Sequence, residues 1–279
     1  MRRALGTSRI GHTGTLDPLA TGVLPLVVGR ATRLASLFSG AEKEYDAGVR
    51  LGLATDTYDA AHLSGPVAEA PAGIGADAIE AALDEFRGTY TQPPPAYSAK
   101  KINGVAAYKL ARRNEPVQPR AVTVTVHRLT LLSYANGLAH LRVHCSAGFY
   151  VRSLAHDLGA RLGCGAHLES LRRVRAGSFD ESTAVPLGDV ESEGPPASRR
   201  LVPLSLLLPH LPGLVLNERG ARRASHGNDV TSADLAASAS SETAPETEDR
   251  CRLLDGAGML LGIAERRPSG LLHPVIVLV

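Results

Sequence analysis

The stretch GHTGTLDPLATGVLPL, Gly11 to Leu26, holds one carboxylate, Asp17, between a glycine- and threonine-rich turn and an apolar run. A carboxylate so placed can act as a nucleophile or as a general base. An aspartate before a proline is equally at home as a turn or cap residue. Gly11, Gly14 and Gly22 allow sharp bends and close approach of backbone to a ligand. Two more carboxylates, Asp56 and Asp59, stand in ATDTYDAA. Glycoside hydrolysis needs two carboxyl groups roughly 5 to 10 Å apart, and Asp17 with Asp56 would be the pair to test. We read Asp56 instead as a residue that braces its loop.

Cations gather in two places. Lys100, Lys101, Lys109, Arg112, Arg113 and Arg120 face one acid, Glu115, within a short span, and Arg172, Arg173 and Arg175 form a second group. One such cluster is ordinarily a solvated face. Two clusters in a chain of net charge +2 point to a polyanionic partner. With no tryptophan and few aromatic residues, a broad stacking platform for single strands is excluded. Cys145, Cys164 and Cys251 are scattered, which argues against a disulfide framework and a zinc site and for a reducing cytoplasm. No apolar run is long enough to span a bilayer, and MRRALGTSRIGHTG lacks the apolar core of a signal peptide.

These residues need elements to position them. Gly22–Val28 and Glu44–Leu53 read as strands, and Arg30–Phe38 as a helix. Asp77–Thr89 reads as an amphipathic helix with Ile79, Ala82, Leu83 and Phe86 on one face. The prolines of TQPPPAYS forbid a helix there. Val122–Leu132 and Leu138–Cys145 alternate as antiparallel strands, and Tyr150–Leu162 is a helix stopped by Gly163. Gly188–Arg200 reads as a linker. Beyond it, strand-like runs around a glycine turn form a small β-rich region, interrupted by a Ser/Ala-rich acidic stretch, Thr231–Asp249. The expectation is an α+β fold with a mixed, mostly antiparallel central sheet flanked by helices, and a small β-rich C-terminal domain.

GHTGTLDPLATGVLPL resembles the catalytic motif of the bacterial tRNA pseudouridine synthase B (TruB) family. KEYDAGVRLGLATDTYDAAH (Lys43–His62) and CSAGFYVRSLAHDLGARLGCGAHLESLRRVRAGSF (Cys145–Phe179) are similar to that family's next two motifs. PPPAYSAKKINGVAAYKLARR (Pro93–Arg113) resembles its loop and thumb-like insertion. The resemblance implies a catalytic domain over 1–209, with the insertion at about 98–121. It implies a PUA-like RNA-binding domain over 210–279 that carries the flexible acidic insertion at about 231–249. Family members usually carry roughly thirty further residues ahead of this point, with a Lys-Pro-x-Gly-x-Thr-Ser segment. The expectation here is a chain without them, with a sheet edge left open.

The implied activity is isomerisation of the T-loop uridine of tRNA, at position fifty-five, to pseudouridine. The bond from ribose C1′ to N1 breaks and C1′ rejoins at C5, so the reaction needs no cofactor and no metal. By the resemblance Asp17 is the catalytic carboxylate, as nucleophile or as base. Arg152 holds it through a charge-assisted bond. Tyr45 stacks on the target base, Tyr150 and Leu171 line its pocket, and His12 fills or borders the space the flipped base leaves. Lys100, Lys101, Lys109, Arg112 and Arg113 contact phosphates, while T-loop shape sets preference. The partner is the tRNA T-stem-loop, with no guide RNA and no membrane, and the chain is a cytoplasmic monomer. The readings set against this are a catalytically impaired tRNA-binding or folding protein, a guide-RNA-dependent relative, and a hydrolase releasing uracil.

Overall fold

The computed structural model describes residues 1–61, 63, 72–98, 100–102, 104–113, 119–236 and 249–279. Glu115 and most of the acidic stretch lie outside the described residues. Two compact units are present. One comprises Gly14–Pro25 and Leu37–Ala184; the other comprises Met1–Thr13, Leu26–Ser36 and Val185–Val279.

Around Asp17 the chain forms three short strands, β1 (Ile10–His12), β2 (Ala20–Gly22) and β3 (Leu26–Val28), in place of the single strand expected over Gly22–Val28. Gly22 takes φ +93 and Pro25 has no amide to donate, so the run cannot stay paired along its length. The helix expected over Arg30–Phe38 is a 3-10 turn, Gly29–Leu34, followed by a short helix α1 (Ala35–Ser39).

The first unit is built on β4 (Lys43–Leu51), helix α2 (Ala76–Leu83), β5 (Gly88–Gln92), a small hairpin β6 (Lys101–Ile102) and β7 (Val105–Ala106), and helix α3 (Ala107–Ala111). It continues through β8 (Val122–Ala135), β9 (Leu138–Cys145), α4 (Val151–Arg161), β10 (Ala166–Ala176) and β11 (Phe179–Asp180). The main sheet runs β11-β10-β4-β9-β8-β5. Every pair in that path is antiparallel, and β2 joins β10 in parallel. This is the mixed, mostly antiparallel sheet that the alternating patterns implied.

Alternation decides which face is buried. Ala47, Val49 and Leu51 of β4 and Ala139, Leu141, Val143 and Cys145 of β9 point to one side. Leu154, Ala155 and Leu158 of α4 and Ile79 and Leu83 of α2 pack there. Burying each valine, leucine or isoleucine among them contributes about 1.5–3 kcal/mol. The helix α2 ends at Leu83, earlier than the expected Thr89, because Gly88 at φ +79 turns the chain into β5.

Strand β10 departs most from the sequence reading, which saw no strand there. Its pairing with β4 slips between Leu168 and Ser170 and again between Arg173 and Arg175. Each bulge moves one residue out of register and exchanges the faces of all that follow. Ala166 and Leu168 point into the core, then Leu171 and Arg173, then Ala176.

In the other unit β1 pairs with β3. The expected linker over Gly188–Arg200 is ordered as helix α5 (Leu187–Glu193) and a 3-10 turn, Pro195–Arg200. Beyond it come β12 (Gly213–Val215), α6 (Glu218–Ser225), β13 (Arg250–Leu254), β14 (Leu260–Arg266) and β15 (Leu272–Val277). The four strands form one sheet in chain order around Leu216, Val230, Leu253, Ala264 and Leu272. Asn217 caps α6 by accepting from the Gly220 amide at 2.9 Å. Among the described residues no helix is long and apolar enough to cross a membrane.

Candidate active site

Asp17 sits in the loop that leads into β2, and two anchors hold that loop. Along the backbone β2 pairs with Leu171–Arg173 of β10, and the Val23 amide donates to the Arg173 carbonyl at 2.8 Å. Through its side chain Arg173 donates from Nε to the Val23 carbonyl (2.7 Å) and from Nη2 to the Gly14 carbonyl (3.2 Å). One guanidinium thus ties both ends of the loop. Gly22 is obligatory in this arrangement: a Cβ there would stand 2.2 Å from the Arg173 carbonyl oxygen.

Arg152, on the first turn of α4, meets Asp17 face to face. Its Nε donates to Oδ2 and its Nη2 to Oδ1, both at 2.9 Å. The remaining donors reach the carbonyls of Thr57 and Tyr97, each at 3.1 Å. Asp59 lies on the other side, 3.7 Å from Nη1. The Arg152 side chain is 7% exposed and that of Asp17 is 30% exposed. The cation is therefore fixed inside the protein, while the carboxylate keeps an open edge. A planar fork of this kind orients a carboxylate as well as attracting it.

The start of α4 is held by a residue that the sequence reading missed. Gln92, fully buried at the end of β5, accepts from the Tyr150 amide at 2.9 Å and donates to the Tyr150 carbonyl at 3.1 Å. Alternation along β5 turns it inward, and that parity was its one available signal. The bracing role assigned to Asp56 belongs to Asp59. Buried Asp59 accepts from the Thr57 hydroxyl (2.7 Å) and from the Ala61 amide (3.1 Å), whereas Asp56 is exposed.

Tyr45 stands opposite Arg173 in the β4–β10 register and shares its hydrogen-bond network. Burial pushes the Tyr45 hydroxyl up to about 12, and the Asp17 charge adds to the rise. Tyr150, at the head of α4, is also raised by burial, with Arg152 and Asp17 both close enough to act on it. Leu171 packs in the same apolar cluster as Tyr45, with Leu19 and Ala20. Asp17, Arg152, Tyr45 and Tyr150 therefore converge. His12 ends β1 and is exposed, and it belongs to the other compact unit.

The first basic cluster is rooted beside this site. Tyr97 accepts from Arg152, and the next residue, Ser98, accepts the Tyr108 amide at 3.0 Å. From there β6, β7 and α3 carry Lys101, Lys109, Arg112 and Arg113 on exposed positions, while Lys100 donates to the Arg120 carbonyl at 2.7 Å. The second cluster is not a cationic surface. Arg173 is 2% exposed, Arg172 pairs with Glu181, and Arg175 pairs with Glu44 at 3.3 Å. The bulges of β10 turn the central arginine inward and leave its neighbours against acids.

The site is thus a carboxylate with one open edge, fixed by a buried arginine, beside a tyrosine-bearing strand of a mixed sheet and a lysine-bearing hairpin. Residues 2–151 match the TruB family pseudouridylate synthase N-terminal domain, and residues 152–203 match the tRNA pseudouridylate synthase B C-terminal domain. The chain belongs to the TruB family of pseudouridine synthases.

The tRNA pseudouridine synthase B of Solibacter usitatus (strain Ellin6076) is 42% identical over 283 residues, covering 100% of this chain and 93% of that protein. The protein of the same name from Pseudomonas aeruginosa (strain UCBPP-PA14) is 41% identical, covering 98% and 88%. Among solved structures, a chain of a Cbf5-Nop10-Gar1 complex superposes with a TM-score of 0.72 at 25% identity, covering 100% of this chain and 79% of that one. An H/ACA RNP bound to a substrate RNA containing 2'-deoxyuridine gives 0.70 at 23% identity, with 78% of that chain covered, and shares the fold.

Proposed function

We propose that this chain isomerises the T-loop uridine of tRNA, at position fifty-five, to pseudouridine, with Asp17 as the catalytic carboxylate. The observation that carries this reading is the two-point pairing of half-open Asp17 with buried Arg152. The reaction cleaves C1′–N1, turns the uracil and joins C1′ to C5, with the C5 hydrogen leaving as a proton. The freed N1 takes up a proton as C5 gives one up, so the change is a net isomerisation for which one oriented carboxylate and a pocket for the detached base suffice. The fork keeps Asp17 aimed, whether it attacks the ribose or removes a sugar proton.

Tyr45 offers a ring face to the flipped base, and Tyr150 and Leu171 form the walls. His12 is assigned the space the base vacates. Lys100, Lys101, Lys109, Arg112 and Arg113 meet phosphates and set the register of the T-stem-loop, which is recognised by shape and unstacked bases. The β-rich C-terminal region acts as a PUA-like RNA-binding domain. In this reading the enzyme works as a monomer in the cytoplasm, without a guide RNA.

The test uses the chain as it stands with an unmodified tRNA transcript, mapping pseudouridine by chemical labelling and primer extension. A stop at the T-loop uridine, lost in Asp17→Asn while tRNA binding persists, is the expected result. Binding with no modification by the unsubstituted chain would overturn the assignment in favour of a tRNA-binding protein.

A further inference from the structure

The outer face of the main sheet, away from the packed core, carries a group that the proposed reaction does not use. Glu42 stands just before β4, His127 lies on β8 and His144 on β9. Glu42 Oε1 is 3.1 Å from His127 Nε2, and Glu42 Oε2 is 2.8 Å from His144 Nε2. The two imidazole rings lie 4.9 Å apart, and one donor atom from each of the three residues falls within 4.8 Å of the others.

The fold builds this convergence. The β8–β9 register slips between Val126 and Arg128, so His127 is the inserted residue of a bulge. A bulge re-aims a side chain, and here it swings His127 beside His144. Glu42 arrives from a third segment.

Hydrogen bonding alone leaves His144 in conflict. Its Nε2 faces a Glu42 oxygen at 2.8 Å, which asks for a proton on that nitrogen. The same Nε2 faces the Arg175 Nη2 donor at 3.0 Å, which asks for a lone pair. One ring nitrogen cannot meet both. A cation between the carboxylate and the two rings would use both imidazole lone pairs and the carboxylate together. Arg175 would keep other partners, since its Nε donates to Glu44 and its Nη1 to the Gly177 carbonyl, both at 3.3 Å.

The geometry points to a divalent transition-metal site formed by Glu42, His127 and His144, with Zn²⁺ as the ion it takes. Two imidazoles and a carboxylate suit Zn²⁺, whereas Mg²⁺ and Ca²⁺ favour all-oxygen sites. Tetrahedral Zn²⁺ with bonds of about 2.0–2.1 Å sets its donors about 3.4 Å apart, close to the separations from Glu42. The fourth corner opens to solvent, since Glu42 is about half exposed. Bound there, the ion would fasten the approach to β4 to strands β8 and β9, a structural staple apart from Asp17.

The test is calorimetric titration of Zn²⁺ into tag-free, chelator-stripped, full-length protein at neutral pH, with Mg²⁺ as the control ion and Co²⁺ as the spectroscopic stand-in. One saturating Zn²⁺ per chain is expected, with a raised melting temperature and a Co²⁺ spectrum of nitrogen and oxygen ligation. His127→Ala, His144→Ala and Glu42→Gln should each weaken binding about tenfold or more and leave tRNA modification unchanged. No saturable binding, equal affinity in the three variants, or a thiolate-to-cobalt charge-transfer band assigning the ion to a cysteine would overturn the proposal.

Discussion

Arg152→Lys separates charge from geometry at the site. Lysine keeps the cation but replaces a planar fork with a single nitrogen. Arg152 makes four hydrogen bonds, two to Asp17 and one each to the Thr57 and Tyr97 carbonyls. An ammonium cannot span both Asp17 oxygens and both carbonyls, so two of these are lost. Hydrogen bonds to charged groups are worth about 1.5–3 kcal/mol each. Asp17 is 30% exposed, so water takes up part of the loss. That leaves a deficit of about 2–3 kcal/mol in the orientation of the carboxylate, roughly a hundredfold in the chemical step.

The assay is single-turnover release of tritium from tRNA transcribed with 5-tritiated uridine, because joining C1′ to C5 expels the C5 hydrogen into water. Affinity for the tRNA, measured by filter binding, should stay within roughly threefold, since the fork contacts Asp17 and backbone carbonyls. A release rate within roughly threefold of the unsubstituted chain would refute the claim that the fork, and not the positive charge, prepares Asp17.

Three further outcomes follow from the same geometry. Tyr45 has its hydroxyl raised from 10.0 to about 12, so the folded state holds the proton more tightly than the unfolded one. Its contribution to stability is complete below pH 10 and is lost as pH rises towards 12; denaturant midpoints should fall less steeply across that window in Tyr45→Phe. Gly22→Ala places a Cβ against the Arg173 backbone at positive φ, and should cost about 2–4 kcal/mol in chemical denaturation while freeing the Asp17 loop. Replacing Lys101, Lys109 and Arg112 by alanine should lower the slope of log affinity against log salt by about two to three, and leave the rate on saturating tRNA intact.

Much of the scaffold was legible because its periods are regular. Val122–Val126 and Leu138–Cys145 alternate, and the hairpin β8–β9 follows despite the register slips in β8 after Val126 and Leu131. Ile79, Ala82, Leu83 and Phe86 all end buried, as their spacing implied. Asp17 and Arg152 could be paired only through family resemblance, because 135 residues separate them and nothing local couples them. Strand β10 was illegible for a definite reason: Arg172, Arg173 and Arg175 read as a basic cluster for a polyanionic partner, and two bulges erase the alternation that marks a strand. The choice between Asp56 and Asp59 was equally closed to sequence, since it turns on which carboxylate the loop folds over Arg152. Gly188–Arg200 read as a linker from its glycine and prolines, yet a proline at the head of a helical turn is compatible with order.

The paired bulges make the length of β10 a piece of information in its own right. Between Leu168 and Ala176 the strand changes face twice and returns to the parity it started with. Losing the extra residue at the first bulge, Glu169, would leave Leu171 opposite Ala47 and Arg173 opposite Tyr45, whereas losing a paired residue such as Arg172 would set Arg173 opposite Asp46, turn it outward and detach the Asp17 loop from its clamp. Losing one at each bulge would restore plain alternation along the strand with Leu171 and Arg173 still inward. Substitutions along this strand can be judged one side chain at a time, but deletions cannot, because the count of paired residues between the bulges sets which face holds the Asp17 loop.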